Sequence, residues 1–163
     1  DLLRELLPGR GSVSYISKST HLRLLAPAFI VQSKVTYLDS DLVVQRNLEE
    51  LWSVDLEQCA VGAVLESGTT RLGAENINLA WQAQRLDPDA PYFNAGVLLI
   101  NLDRWRAEGI CGTVLANIKE HRDIYRLLDQ DGLNVVLCND WLPPDRRWNL
   151  QASREALASE RFQ

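Results

Sequence analysis

Ala95-Gly-Val-Leu-Leu-Ile-Asn-Leu102 decides the fold. A run this short and this apolar reads as a strand buried on both faces, because a strand covered on one face only would alternate apolar with polar. Downstream, Leu102, Trp105, Ile110, Val114, Leu115 and Ile118 trace an amphipathic helical stripe. One long helix is expected there, although Gly109 and Gly112 each cost its interior about 1 kcal/mol relative to Ala. Upstream, residues 60–65 form a second continuous apolar run, and Lys34-Val-Thr-Tyr-Leu38 and residues 12–17 are short β-branched or aromatic stretches. Ser19-Thr20 opens a helical segment carrying Leu22, Leu25, Phe29 and Ile30, which Pro27 should kink or end. Asn47 can cap a short helix with Leu48, Leu51 and Trp52. Residues 65–91 are polar and punctuated by Gly68, Gly73, Pro88 and Pro91, with one helix expected around residues 78–85. Residues 133–137 are apolar enough to be buried, and Pro143-Pro144 ends whatever precedes it. Apolar strands separated by helical segments predict an α/β domain, a mainly parallel sheet with helices on both faces.

Composition narrows the function. The chain has 163 residues, 46% hydrophobic and 24% charged, which fits one globular domain. Seventeen Lys and Arg against 22 Asp and Glu give a formal charge of −5, which repels a phosphate backbone and excludes nucleic acid as the natural partner. The apolar runs fall well short of the roughly 20 residues a membrane span needs. Cys59, Cys111 and Cys138 are odd in number, widely spaced and without a CxxC pair, so neither a disulfide framework nor a zinc knuckle is expected. That usage suits a cytoplasmic protein, with room for a peripheral membrane association in a longer chain. The sequence holds no Met and opens at Asp1 directly into an apolar, helix-like stretch, which suggests a piece of a longer polypeptide.

Three segments carry candidate chemistry. Asp39 and Asp41 follow an apolar strand at i and i+2, a spacing that puts two side chains on one strand face. Two like charges there are unfavourable without a counter-ion, and oxygen ligands suit Mg²⁺ or Mn²⁺. The pattern alone is uninformative: with 12 Asp in the chain about one DxD is expected by chance, and three occur. Asp87-Pro-Asp89 reads as a turn. Asn94, at the entry of the buried strand, can donate and accept toward a hydroxyl-rich ligand, and Gly96 permits close approach. Asp129-Gln130-Asp131 opens a further apolar segment, where Asp129 could cap a helix, face a ligand, or do both.

In order and spacing these segments resemble glycosyltransferase family 8, the retaining GT-A enzymes that include glycogenin and the bacterial lipopolysaccharide galactosyl- and glucosyltransferases. The resemblance runs through Ser19-Thr-His-Leu-Arg23-Leu, Val35-Thr-Tyr-Leu-Asp39-Ser-Asp41, Tyr92-Phe-Asn94-Ala-Gly96-Val-Leu-Leu-Ile-Asn101-Leu-Asp-Arg-Trp105, Asp129-Gln130-Asp131-Gly-Leu-Asn134 and a closing Leu142-Pro with Arg147-Trp148-Asn149. It implies transfer of a hexose from a UDP-sugar to a saccharide or glycolipid acceptor with retention. Asp39 and Asp41 would bind Mn²⁺ (or Mg²⁺) and through it the donor diphosphate. Arg23 would support that site, and Asn94, Asp129 and Gln130 would surround the transferred sugar and acceptor. Glu66 stands where such enzymes often place an acceptor-binding carboxylate. An amide oxygen is a poor nucleophile, so Gln130 is expected to stabilise rather than attack.

Two family features are missing: a front strand with uracil-binding residues, and a closing HxxGxxKPW segment whose His is a third metal ligand. The chain over residues 1–163 is therefore expected to be a partial catalytic domain that binds the cation weakly and exposes a sheet edge to self-association. A non-catalytic remnant is the alternative. His21, His121, Trp141 and Trp148 read as packing or capping residues. Asp39-x-Asp41-x-Val43 also resembles the nucleophile motif of haloacid-dehalogenase-type phosphatases, but that chemistry needs a downstream Lys on a strand, and Lys119 falls within the amphipathic stripe.

Overall fold

The computed structural model describes residues 23–151, apart from residue 76 and residues 78–80. The strand expected at residues 12–17, and His21, lie outside the described residues.

The apolar run at the centre of the sequence becomes the centre of the sheet. Strand β3 (Phe93–Asn101) lies between β1 (Lys34–Leu38) and β2 (Val61–Leu65), and β2 pairs on its far side with β4 (Trp141–Leu142). Ala95 and Val97 to Ile100 are all buried, and since successive side chains leave opposite faces, both faces of the strand are covered. Direction departs from expectation: β1 and β2 both run antiparallel to β3, and only the β2–β4 pair is parallel. The sheet is mixed. Apolar residues on both faces report that both faces are covered and carry no information about strand direction, which the connections set.

Asn101 ends β3 and starts α1 of the following pair, since its side chain accepts from the Arg104 N–H at 3.1 Å; this helix is Leu102–Ala107. The stripe breaks at Gly109, whose φ of +63° is the left-handed conformation that glycine adopts at least cost, and resumes as α2 (Ile110–His121). Helix α3 (Asp129–Val136) packs against α2 across Gly132. A Cβ on Gly132 would lie 2.6 Å from Ile118 Cγ1, so the two helices approach at a distance only glycine permits. Short helical turns at Ala26–Phe29, Glu49–Trp52 and Arg146–Asn149 complete the described elements. Pro27 sits in the first turn of the first of these; the N-cap of the second is Leu48 and not the expected Asn47, which lies one residue ahead of the cap and accepts from the Glu49 N–H through its Oδ1. Of the helix expected at residues 78–85, residues 81–85 form turns, ended by the positive φ of Arg85.

A single core joins these layers, with Trp105, Tyr92, Phe93, Leu98, Ile100 and Leu133 among its fully buried side chains. Trp141 packs on Phe93 with ring centroids 5.2 Å apart, and His121 lies 5.6 Å from the Tyr125 ring. Asp87 accepts from the Asp89 N–H, closing the turn read there. No helix among the described residues is long and apolar enough to cross a membrane.

Candidate active site

The ends of β1, β2 and β3 meet the start of α3, and the cleft between them holds about 180 Å³. Arg23, Asp39, Asn94, Gly96, Asp129 and Gln130 line it, with Ala95 and Leu127. Six of the residues singled out from sequence, Gly96 among them, therefore share one cavity, and Glu66 touches two of them.

Asp39 extends β1 by one ladder bond, its N–H donating to the Gly96 carbonyl at 2.9 Å. Its Oδ1 receives the Tyr37 hydroxyl at 2.6 Å and Arg23 at 2.8 Å. Burial, followed by the hydrogen bond to Asp39, pushes the Tyr37 hydroxyl up to about 12, so it remains a donor. Asp39 Oδ2 takes no hydrogen bond among the described residues and lies 3.2 Å from where a Cβ on Gly96 would stand. Asp41 is different. The chain turns at Ser40-Asp41, beyond the strand, so the shared-face argument for the pair does not apply, and Asp41 is exposed and outside the cleft lining. Among the described residues no group of three His, Cys, Asp or Glu side chains is placed to hold a metal.

Arg23 is buried, stacks over the Tyr37 ring at 4.4 Å, donates to the Ala95 carbonyl and bridges Asp39 to Asp129, whose Oδ2 lies 2.9 Å from its Nε. That last contact is an ion pair without a well-directed hydrogen bond. Burial outweighs Arg23 and pushes the Asp129 carboxyl up to about 6. Asp129 is the first residue of α3, and Leu128, with a φ of +27°, holds the N-cap position. Asp129 is therefore not the N-cap itself, and its carboxylate is favoured by the Asp129 and Gln130 backbone N–H groups at the start of the helix as well as by Arg23. Asp131 also serves the backbone, accepting from the Arg126 and Leu127 N–H groups.

The floor is made of amides and carboxylates. Gln130 Oε1 accepts the Ala95 N–H at 2.9 Å, and its Nε2 donates to Glu66 Oε2 at 3.1 Å and the Tyr92 hydroxyl at 3.2 Å. Asn94, second residue of β3, also donates to Glu66 Oε2 at 2.8 Å, while its Oδ1 accepts from the Gly96 N–H and from Asn149 Nδ2. Asn134 staples α3 to β3, accepting from the Phe93 N–H and donating to the Phe93 and Gln130 carbonyls. Tyr92, Asp131 and Asn149 carried no assigned role in the sequence. Tyr92 could have been found as a polar-tipped aromatic at the mouth of a buried strand; Asn149, 55 positions from its partner, left no local signal.

The chain is similar to known proteins in sequence and in fold. The sequence profile of Glycosyl transferase family 8 matches residues 10–163. General stress protein A of Bacillus subtilis is 31% identical over 144 residues, covering 85% of this chain and 47% of that protein. Lipopolysaccharide 1,3-galactosyltransferase of Salmonella typhimurium is 31% identical over 128 residues, covering 74% of this chain and 35% of its own length. The chain thus spans less than half of these two relatives. Among solved structures, the galactosyltransferase LgtC in complex with donor and acceptor sugar analogues superposes with a TM-score of 0.78 at 28% identity, over 97% of this chain and 55% of LgtC. The open mixed sheet with its helices is the α/β architecture that these two share. A profile that spans nearly the whole length, and a fold that follows it, show that the chain belongs to Glycosyl transferase family 8.

Proposed function

We propose that this chain carries the sugar-transfer centre of a retaining, UDP-sugar-dependent hexosyltransferase, with a saccharide or glycolipid as acceptor. The observation that carries the reading is the convergence over Gly96 of the strand-end carboxylate Asp39 with a floor of oriented amides and carboxylates, Asn94, Gln130, Glu66 and Asp129. Hydroxyl-rich ligands need donors and acceptors at fixed positions, and leaving a polar site group unpaired is what rejects the wrong sugar.

A divalent cation fits one side of this cleft. Asp39 Oδ2 takes no hydrogen bond among the described residues and would be the ligand from the cleft, and the exposed Asp41, two residues on, would offer a second hard oxygen donor to Mn²⁺ or Mg²⁺. When bound, such an ion neutralises charge developing on a nucleoside diphosphate leaving group. Arg23 and Tyr37 hold Asp39 in place for that role. Gln130 suits an orienting role and not attack, because its Oε1 already accepts the Ala95 N–H. A phosphatase reading lacks its Lys, since Lys119 is exposed on α2.

A screen of UDP-sugars with Mn²⁺, following release of UDP and transfer to saccharide acceptors, tests the proposal. Transfer from at least one donor, lost in Asp39→Asn, is the expected result. Mn²⁺ affinity unchanged in both Asp39→Asn and Asp41→Asn would remove the pair from the cation site.

A further inference from the structure

We propose that Tyr92 is a positioning residue, whose hydroxyl, locked by Asp131, sets which way the Gln130 carboxamide faces. The inference deepens the proposed transfer reaction and rests on it for its kinetic consequence only.

Asp131 is 1% exposed, and its Oδ2 is taken by two backbone donors, Arg126 N–H at 2.8 Å and Leu127 N–H at 2.7 Å. Only Oδ1 is left, and it receives the Tyr92 hydroxyl at 2.7 Å. A phenol has one proton to give. Once that proton is committed to Asp131, Tyr92 can offer Gln130 only lone pairs, so Gln130 must present N–H to it. Burial of Tyr92 raises its ionisation far above the usual range, so the hydroxyl keeps that proton.

The same amide orientation is demanded twice more, by Glu66 Oε2 and by the Ala95 N–H. A flipped amide would set Oε1 against a carboxylate and against the Tyr92 oxygen, and Nε2 against a backbone donor. Without the Tyr92 hydroxyl one of these three restraints is gone and Gln130 Nε2 has a hydrogen to spare in a buried site. Glu66, which shares Oε2 between Gln130 and Asn94, then loses a fixed neighbour as well. Tyr92 thus acts on the sugar side of the cleft through Gln130, without lining the cleft itself.

Tyr92→Phe keeps the buried ring and removes only the hydroxyl. In kinetics with the donor found active, we expect kcat to fall about tenfold, the worth of one neutral hydrogen bond, with the donor KM within about twofold. Gln130→Ala should fall further, and the Tyr92→Phe/Gln130→Ala double variant should match Gln130→Ala alone, because the first change acts through the second. Independent effects that multiply would overturn the inference. A second readout needs no turnover: in protein labelled with ¹⁵N at glutamine side chains, both Gln130 carboxamide protons should be shifted downfield by hydrogen bonding. In Tyr92→Phe one should move upfield while the other holds. A Gln130 signal identical in both proteins would overturn the inference, and a chain that transfers no sugar leaves this spectrum to decide it while the proposed function alone fails.

Discussion

The two sides of the cleft are built to opposite rules. On the floor, every polar group of Gln130 and Asn94 that faces protein is matched, from Asn149 through Asn94, Glu66, Gln130 and Tyr92 to Asp131. At the rim, one oxygen of Asp39 takes no hydrogen bond among the described residues, and Asp41 is exposed. The floor's geometry is fixed before a ligand arrives, which suits recognition of a sugar by directed hydrogen bonds. The rim carboxylates are the groups that a cation, under the proposed function, would have to satisfy. Between them Arg23 touches both sides, pairing Asp39 at the rim with Asp129 at the start of α3.

Removing that bridge should break the contrast most severely. Arg23→Ala leaves Asp129 buried without its cation, a loss of about 3–5 kcal/mol at neutral pH as for one partner of a buried pair. Urea unfolding checks this, and the deficit should shrink near pH 5, where Asp129 can take a proton.

Next, Asn94→Ala should lower kcat/KM by about 10² to 10³, or roughly 3–4 kcal/mol, as for loss of one preorganised polar contact, while Mn²⁺ affinity from calorimetry stays unchanged. A fall in Mn²⁺ affinity would show that floor and rim are not separable.

Asp129 offers a pH test of the boundary. Its folded value of about 6 lies above the ordinary 3.8, so the native state binds the extra proton between those values. Stability from this group is fully present below about pH 4 and is lost as pH rises through 6, by about 2–3 kcal/mol in all. Asp129→Asn should remove that slope from a plot of unfolding free energy against pH.

The smallest effects belong to the rim. If Asp39 and Asp41 merely repelled one another, neutralising either would leave the cation-free fold unchanged or slightly firmer. Asp39 accepts from Arg23 and Tyr37, so Asp39→Asn should instead cost about 1–2 kcal/mol, discounted for its partial exposure. Asp41→Asn, exposed, should stay within about 0.5 kcal/mol. Thermal midpoints of the two variants without metal give the comparison directly.

What sequence made legible follows from the range of the interactions involved. The apolar runs gave β2 and β3, since burial on both faces leaves a local record, and the β-branched and aromatic stretch at residues 34–38 gave the half-buried β1. The cost of glycine in a helix interior marked Gly109, where the one long helix expected from the stripe divides in two; the cap at Asn101 was not read. The antiparallel order and the two-residue β4 were not legible, because strand direction depends on the paths between strands. In the site, Asp39, Asn94, Asp129 and Gln130 were identified by motif resemblance, and the fold brings them together. Their partners Tyr37, Tyr92, Asp131 and Asn149 owe their roles to contacts that no spacing encodes. The shared strand face expected of Asp39 and Asp41 is absent, because the chain turns at Ser40-Asp41 just past the strand.

Gly132 sits two positions after Gln130, on the side of α3 that faces α2 and not the cleft, where its missing Cβ lets Ile118 and Val114 close in. The height of the Gln130 amide above the sheet is therefore gauged by a contact in the core. In a saturation library selected for turnover, position 132 should behave as intolerantly as the cleft itself. The suppressors of Gly132→Ala should then arise at Ile118, where a smaller side chain vacates the space the new methyl group takes.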